Sequence, residues 1–87
     1  MLGEHEYLIA FDSTQQALRA EMLLEYADIE IDIRPTPKEI TAGCALTIGF
    51  PKSDAQQVAS IIVEEQVEIR GIFEAADDGY IQIELAP

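Results

Sequence analysis

The stretch HEYLIAFDSTQQALRAEMLLEYA, from His5 to Ala27, joins a strand pattern directly to a helix pattern. Up to Phe11, apolar side chains occupy both alternating sets of positions, which is typical of a largely buried strand. Ser13 with Gln16 three residues later forms a capping-box pattern, and a helix should start there. Apolar residues then recur at helical spacing: Ala17, Ala20, Leu24 and Ala27, with Leu23 beside them.

The second half of the chain repeats this order at an offset of about 40 residues. The sequence CALTIGF, Cys44 to Phe50, predicts another strand. The following SDAQQVASIIVEEQ, residues 53–66, predicts a second helix with Ser53 as its N-cap and Gln56 at the third helical position. Its apolar stripe consists of Ala55, Val58, Ala59 and Ile62.

Three further stretches have the alternation or the turn chemistry of strands. DIEIDIR, residues 28–34, alternates isoleucine with charged residues and predicts a strand with one solvated face. VEIRGIFEA and YIQIEL flank the sequence ADDG, in which Asp78 and Gly79 are a strong hairpin-turn signal. Gly71 is expected to mark a bulge in the first of these two strands.

The resulting order is β-α-β-β-α-β with an extra C-terminal β-strand, the ferredoxin-like split βαβ pattern of an α+β fold. With 87 residues, the chain is expected to form one domain, residues 1–87, that needs no disulfide or metal to fold. Both helices should cover one face of an antiparallel sheet. The other face, with Leu8 and Ala10, is left for solvent or for a second copy of the chain in a homodimer.

The charge of the chain argues against several classes of partner. Its 17 acidic and five basic residues give a formal net charge of −12, which opposes binding to nucleic acid and to anionic membranes. No apolar run approaches the length of about 20 residues that a membrane span requires. One cysteine cannot form an internal disulfide, and the first residues lack a signal-peptide pattern, so a reducing cytoplasm is the expected compartment.

No metal or cofactor is expected. His5 is the only histidine and has no cysteine or histidine partner at metal-ligand spacing. Asp77 and Asp78 fit a turn better than a calcium loop, because the spaced oxygen ligands of such a loop are missing. The sequence also offers no paired carboxylates, Ser/His/Asp set or glycine-rich phosphate cradle, so hydrolase, kinase and dehydrogenase functions have no support.

The stretch RPTPKEITAGCAL, Arg34 to Leu46, interrupts the regular pattern and contains the only cysteine, Cys44. Its two prolines fix their own φ angles and favour extended conformations at the preceding residues, so the chain should leave the second strand stiffly. A cysteine in such a loop is a candidate for thiolate chemistry, because the thiolate is the nucleophilic form. The residues expected to stabilise an anion there or to support the loop are Arg34, Pro35, Thr36, Pro37, Lys38, Thr41 and Gly43.

An alternative for Cys44 remains open at this point. A net charge of −12 disfavours a thiolate, so a reactive Cys44 needs compensation from Arg34, Lys38 and the backbone amides near Gly43. Free cysteine is also among the most buried residue types and behaves as a small hydrophobe. On spacing alone, a buried and inert Cys44 is favoured, and the protein would then be a non-catalytic interaction or regulatory module.

The run from Tyr7 to Ile48 resembles the selenium/sulfur carrier protein-like family, also called the DUF3343 group. The resemblance covers residues 7–50 well and the remainder only in outline. Its most specific part is PTPKEI followed closely by a lone cysteine. The matching residues are Tyr7, Phe11, Ser13, Ala17, Leu18, Ala20, Glu21, Pro35, Thr36, Pro37, Lys38, Glu39, Ile40 and Cys44.

This resemblance implies a carrier that holds sulfur or selenium on Cys44 as a persulfide or selenosulfide. The chalcogen would come from a cysteine desulfurase-like donor and pass to an acceptor protein such as a selenophosphate synthetase. Such a protein is a carrier with thiol-exchange chemistry rather than a stand-alone enzyme. Ala45 stands where the family usually has glycine, which would restrict the backbone beside the thiol.

Overall fold

The computed structural model describes residues 6–36, 46–76 and 79–84. Within these ranges the chain forms five strands and two α-helices. In chain order they are β1 (Glu6–Phe11), α1 (Thr14–Tyr26), β2 (Asp32–Pro35), β3 (Leu46–Pro51), α2 (Ala55–Glu64), β4 (Gly71–Ala76) and β5 (Gly79–Ile83). A short 3-10 turn, Lys52–Asp54, precedes α2.

The strands form one antiparallel sheet in the order β2-β3-β1-β4-β5. Both helices pack on the same face, because one alternating set of strand residues shares a single core with residues of α1 and α2. Two helices on a five-stranded antiparallel sheet confirm the predicted ferredoxin-like α+β fold, including the extra C-terminal strand. The core includes Ile9, Phe11, Ile48, Phe50 and Ile72 from the strands, Ala17, Ala20 and Leu24 from α1, and Val58 from α2.

The centre of the opposite sheet face is not open to solvent, contrary to the prediction for Leu8 and Ala10. Leu8 is 3% exposed and Ala10 is fully buried. Neighbouring polar side chains cross this face where a glycine leaves room for them. A Cβ built on Gly49 would lie 2.9 Å from both Arg34 Nη2 and Glu6 Oε2. The face is therefore partly covered by side chains of its own strands.

The two helices start differently, although a serine occupies the predicted N-cap position of each. The Ser13 hydroxyl caps α1 and accepts a hydrogen bond from the Gln16 backbone N–H at 3.4 Å. The Gln16 side chain does not complete a capping box, because its Oε1 accepts a hydrogen bond from the Glu68 N–H at 3.3 Å. The predicted Ser53 cap is wrong: the 3-10 turn takes up Ser53, and the N-cap is Asp54, whose side chain makes no cap hydrogen bond.

Both helices end in a Schellman motif whose left-handed residue is not glycine. Asp28, with φ of 63°, follows α1, and the Ile29 N–H donates back to the last turn of α1 at 3.0 Å. After α2, Gln66 has φ of 54°, and the Val67 N–H makes the equivalent 3.0 Å bond. Ile29 and Val67 are both buried, so each motif returns the chain to the core. The internal repeat seen in the sequence thus extends to the helix ends.

Three strand predictions need correction. The strand predicted over VEIRGIFEA begins only at Gly71. β2 begins only at Asp32, because the residues after α1 first turn the chain and bury Ile29. Gly71 is paired in regular register with Ala10, so the expected bulge does not occur. Its lack of a side chain instead makes room for Gln82, whose Nε2 would lie 2.6 Å from a Cβ at position 71. The turn residues Asp77 and Asp78 lie outside the described residues.

The unequal helix starts predict unequal effects of two otherwise similar substitutions. Ser13→Ala should reduce the free energy of unfolding by about 0.5 to 1 kcal/mol, because it removes the cap of α1. Ser53→Ala should leave it nearly unchanged, since the Ser53 side chain caps neither the turn nor α2. Urea unfolding followed by circular dichroism measures both. Equal losses in the two variants would contradict the observed difference between the helix starts.

Candidate functional site

The predicted site lies at the connection between β2 and β3. We call residues 37–45 the thiol segment. They lie outside the described residues and include five predicted site residues: Pro37, Lys38, Thr41, Gly43 and Cys44. Both flanks are described, because Pro35 at the end of β2 is the antiparallel partner of Leu46 at the start of β3. Paired residues in such a ladder have Cα atoms about 4.5 to 5.5 Å apart. The thiol segment therefore leaves and rejoins the sheet at nearly the same point.

Three connections meet at this end of the sheet. Leu46 is paired with Phe11, so the turn from β1 into α1 lies beside the flanks of the thiol segment. Gly71 is paired with Ala10, so the connection from α2 into β4 reaches the same end. The start of α1 and the start of β4 therefore lie at the same end of the sheet as the β2–β3 connection. We call this the loop end of the sheet.

Arg34 is held by two carboxylates on the sheet face away from the helices. Its guanidinium nitrogens lie 3.0 Å from Glu6 Oε1 and 2.6 Å from Asp32 Oδ2. Burial lowers the pKa of Arg34, but hydrogen bonds to Glu6 and Asp32 and the charges of these carboxylates outweigh it and raise the pKa. The guanidinium lies over Gly49, about 10 Å along β3 from Leu46. The Arg34 side chain therefore extends away from the loop end.

Thr47 joins β3 to the last two residues of β2. Its side chain is fully buried. Among the residues that the structure describes, it is the only polar residue in the buried class. Its hydroxyl donates to the Arg34 carbonyl at 3.1 Å and also lies 3.4 Å from the Pro35 carbonyl. Because these carbonyls belong to the end of β2, one residue before the thiol segment, Thr47 fixes the direction in which the chain leaves the sheet.

Pro35 and Thr36 are the other two predicted site residues that the structure describes. Pro35 ends β2, an edge strand, where a proline is tolerated because one side of the strand needs no ladder hydrogen bonds. The Thr36 hydroxyl oxygen is buried and has no hydrogen-bond partner among the described residues. A buried hydroxyl without a partner costs about 1 to 3 kcal/mol. Thr36 is therefore a candidate donor to a group bound next to it.

Every basic residue in the described ranges is near a carboxylate. Arg19 is 3.8 Å from Glu65, Lys52 is 2.6 Å from Glu74, and Arg70 is 3.2 Å from Asp12, in addition to the contacts of Arg34. The Arg70–Asp12 pair lies at the loop end and joins the turn before α1 to the start of β4. The fifth basic residue of the chain, Lys38, belongs to the thiol segment.

Sequence reasoning missed Glu6, Thr47 and the Arg70–Asp12 pair. The contact of Glu6 with Arg34 spans 28 residues and depends on β1 and β2 both flanking β3, so no local pattern indicates it. Thr47 carries the one hydroxyl in the strand LTIGFP, and this isolated polar residue in an apolar strand was an available signal.

The described residues contain no group of three or more histidine, cysteine, aspartate or glutamate side chains that could hold a metal ion. In the same ranges, neither helix has the length and apolar character needed to cross a membrane. The fold and the site thus define a small α+β domain that carries one cysteine in a connection with anchored flanks.

Comparison with known proteins identifies the family. A family model described as "Putative Se/S carrier protein-like" matches residues 6–74, most of the chain. The protein therefore belongs to this family, which confirms the resemblance read from the sequence. No curated protein and no solved structure gives a significant match to the chain.

The contacts of Thr47 predict a local effect on β2. Thr47→Val keeps the shape of the side chain but removes the hydroxyl donor, so it should destabilise the protein by about 1 to 2 kcal/mol. Amide hydrogen exchange should accelerate in β2 more than in β4, because the lost bonds anchor β2. Thr47→Ser is the matched control and should retain the protection of β2. Unchanged exchange in β2 of Thr47→Val would show that the hydroxyl does not anchor this strand.

Proposed function

We propose that the protein is a sulfur or selenium carrier that holds the chalcogen on Cys44. The observation that carries this proposal is membership of the selenium/sulfur carrier-like family in a chain with one cysteine. A persulfide or selenosulfide needs a thiol, and Cys44 is the only thiol that this chain offers.

The anchored flanks support this role for the β2–β3 connection. Cys44 is two residues from Leu46, so covalent geometry alone keeps its Cα within about 7 Å of the first residue of β3. Thr47 and the pairing of Pro35 with Leu46 hold both flanks at the loop end. A carrier has to present one sulfur atom to two proteins in turn, and a short segment between fixed flanks limits the positions that this atom can take.

The transfer is an exchange without net oxidation. The Cys44 thiolate attacks the outer sulfur of a persulfide on the donor, the donor S–S bond breaks, and the donor cysteine leaves as a thiolate. Cys44 then carries the persulfide and has gained the sulfur atom that the donor lost, so that atoms and charge balance over the two proteins together. An acceptor thiolate attacks the outer atom in the second step, and Cys44 is the leaving thiolate. Selenium follows the same course through a selenosulfide.

Stabilisation of the thiolate is assigned to groups that neighbour Cys44 in the sequence. Lys38 is the one basic residue in the thiol segment, and the backbone amides at Gly43 and the hydroxyl of Thr41 are further donors. The buried Thr36 hydroxyl, which has no partner among the described residues, fits the same role. Arg34 serves as loop support, because its guanidinium is bound to Glu6 and Asp32. Pro35 and Pro37 stiffen the exit from β2.

The proposed donor is a cysteine desulfurase-like protein, and the proposed acceptor is a protein such as a selenophosphate synthetase. Both are what the resemblance to the family implies, and they fit a protein that passes a chalcogen on as a persulfide or selenosulfide. The protein acts by thiol exchange and needs no resident cofactor in this scheme.

Loading of Cys44 can be measured directly. The purified protein is incubated with a cysteine desulfurase and either cysteine or selenocysteine, and intact masses are recorded without reductant. The wild-type protein should gain one sulfur or selenium atom. Cys44→Ser should gain none, and Lys38→Gln should load several-fold more slowly because the thiol segment loses its one positive charge.

The control for donor activity is sulfide release by the same desulfurase in the presence of a small thiol. If the active donor leaves the wild-type protein without an added atom, the carrier function is contradicted. An interaction module with an inert cysteine then accounts for the protein.

A further inference from the structure

Three large apolar side chains form an exposed line on α1. Leu18, Met22 and Tyr26 are spaced four residues apart, so they lie on one side of the helix over about 12 Å. Their exposed fractions are 47%, 70% and 94%. Five large hydrophobic residues in the described ranges are exposed, and three of them belong to this line. We call Leu18, Met22 and Tyr26 the α1 ridge.

The fold does not explain the α1 ridge. The face of α1 that packs on the sheet is formed by Ala17, Ala20 and Leu24, which are buried. In a helix with 3.6 residues per turn, the ridge lies on the side opposite to this face. Single exposed apolar residues are normal on protein surfaces, but a contiguous row of large ones marks an interaction site.

Acidic side chains lie along one side of the ridge, and Arg19 lies along the other. Glu21 and Glu25 flank the ridge in the C-terminal half of α1, and Asp28 follows the helix end. Glu25 lies in the last turn of α1, where the helix dipole favours basic residues, yet this turn contains none. Arg19, the basic residue of α1, donates to the Glu65 carbonyl at 2.7 Å and lies 3.8 Å from its carboxylate. The carboxylate of Glu25 is therefore not placed to stabilise α1.

We propose that the α1 ridge binds a basic amphipathic helix of a partner protein. The apolar face of such a helix covers Leu18, Met22 and Tyr26, and its flanking lysine and arginine side chains lie against Glu21 and Glu25. Two helices can pack in this way because rows of residues spaced by four fit into each other's grooves. Methionine adapts its shape to a partner, and tyrosine contributes a large rigid surface.

The negative charge of the protein disfavours other kinds of partner at the α1 ridge. A contact between two copies through the ridge would bring together two chains that each carry a formal net charge of −12, which disfavours it. Anionic membranes and nucleic acids are repelled for the same reason. This inference goes beyond the proposed function, because it involves neither Cys44 nor the thiol segment and holds whether or not Cys44 carries a chalcogen.

The test uses a fluorescein-labelled synthetic peptide of leucine and lysine that forms a helix with all leucines on one face. Its binding to the full-length protein is measured by fluorescence anisotropy, and the contacted residues are located by amide chemical-shift changes. A peptide of the same composition in scrambled order, without an apolar face, is the control for charge attraction alone.

Three variants separate the ridge from the rest of the surface. Leu18→Gln combined with Met22→Gln removes the apolar contact, and Glu21→Gln combined with Glu25→Gln removes the flanking charge. Val63→Gln is the matched control, since Val63 is 58% exposed on α2 and lies outside the ridge. These positions are exposed or partly exposed, so all variants should keep the wild-type unfolding midpoint within a few degrees.

The proposal expects tighter binding of the amphipathic than of the scrambled peptide, with shift changes on α1. The Leu18/Met22 variant should bind about tenfold or more weakly. The Glu21/Glu25 variant should bind the peptide more weakly at low salt, and its affinity should change less as the salt concentration rises. Val63→Gln should bind like the wild type. Equal binding of both peptides, no loss in the Leu18/Met22 variant, or shift changes away from α1 would overturn the proposal. So would a wild-type dimer that the Leu18/Met22 variant abolishes.

Discussion

The antiparallel pairing of Pro35 with Leu46 is the constraint on which the functional part of this structure depends. It brings the two flanks of the thiol segment together at one point of the sheet. The buried Thr47 hydroxyl strengthens this pairing, because it bonds to the backbone of the last two residues of β2. Contacts within the sheet thus hold the flanks of the proposed site, while the thiol chemistry is proposed for residues of the thiol segment. The short edge strand β2 thus fixes the start of the β2–β3 connection.

Charge is the second organising feature. The described basic residues are each close to carboxylates, and the remaining acidic residues leave a large negative surplus on the surface. Arg34 illustrates the consequence, since Glu6 and Asp32 hold it against the sheet and away from the loop end. Such a surface favours basic protein partners by long-range attraction and disfavours contacts between copies of the chain.

The fold could be predicted because strand alternation, helical spacing and turn residues are local signals that agreed with one another. The Ser13 cap was correct for this reason. The Ser53 cap was wrong, since a 3-10 turn before α2 displaced the helix start by a residue. The anchoring by Glu6 and Thr47 was not predicted, because those contacts join strands whose order in the sheet is not encoded in any short stretch. Sequence spacing alone favoured an inert Cys44, and only the resemblance to a carrier family led to the opposite interpretation.

The most direct test of the account is the rate at which Cys44 reacts with iodoacetamide in the folded protein, measured by intact mass across a range of pH. A carrier thiol has to be accessible, so the account predicts complete alkylation without denaturant, with a rate that follows the thiolate population and falls in Lys38→Gln. Alkylation only in urea, at concentrations that unfold the protein, would show that Cys44 is buried and would contradict the carrier function.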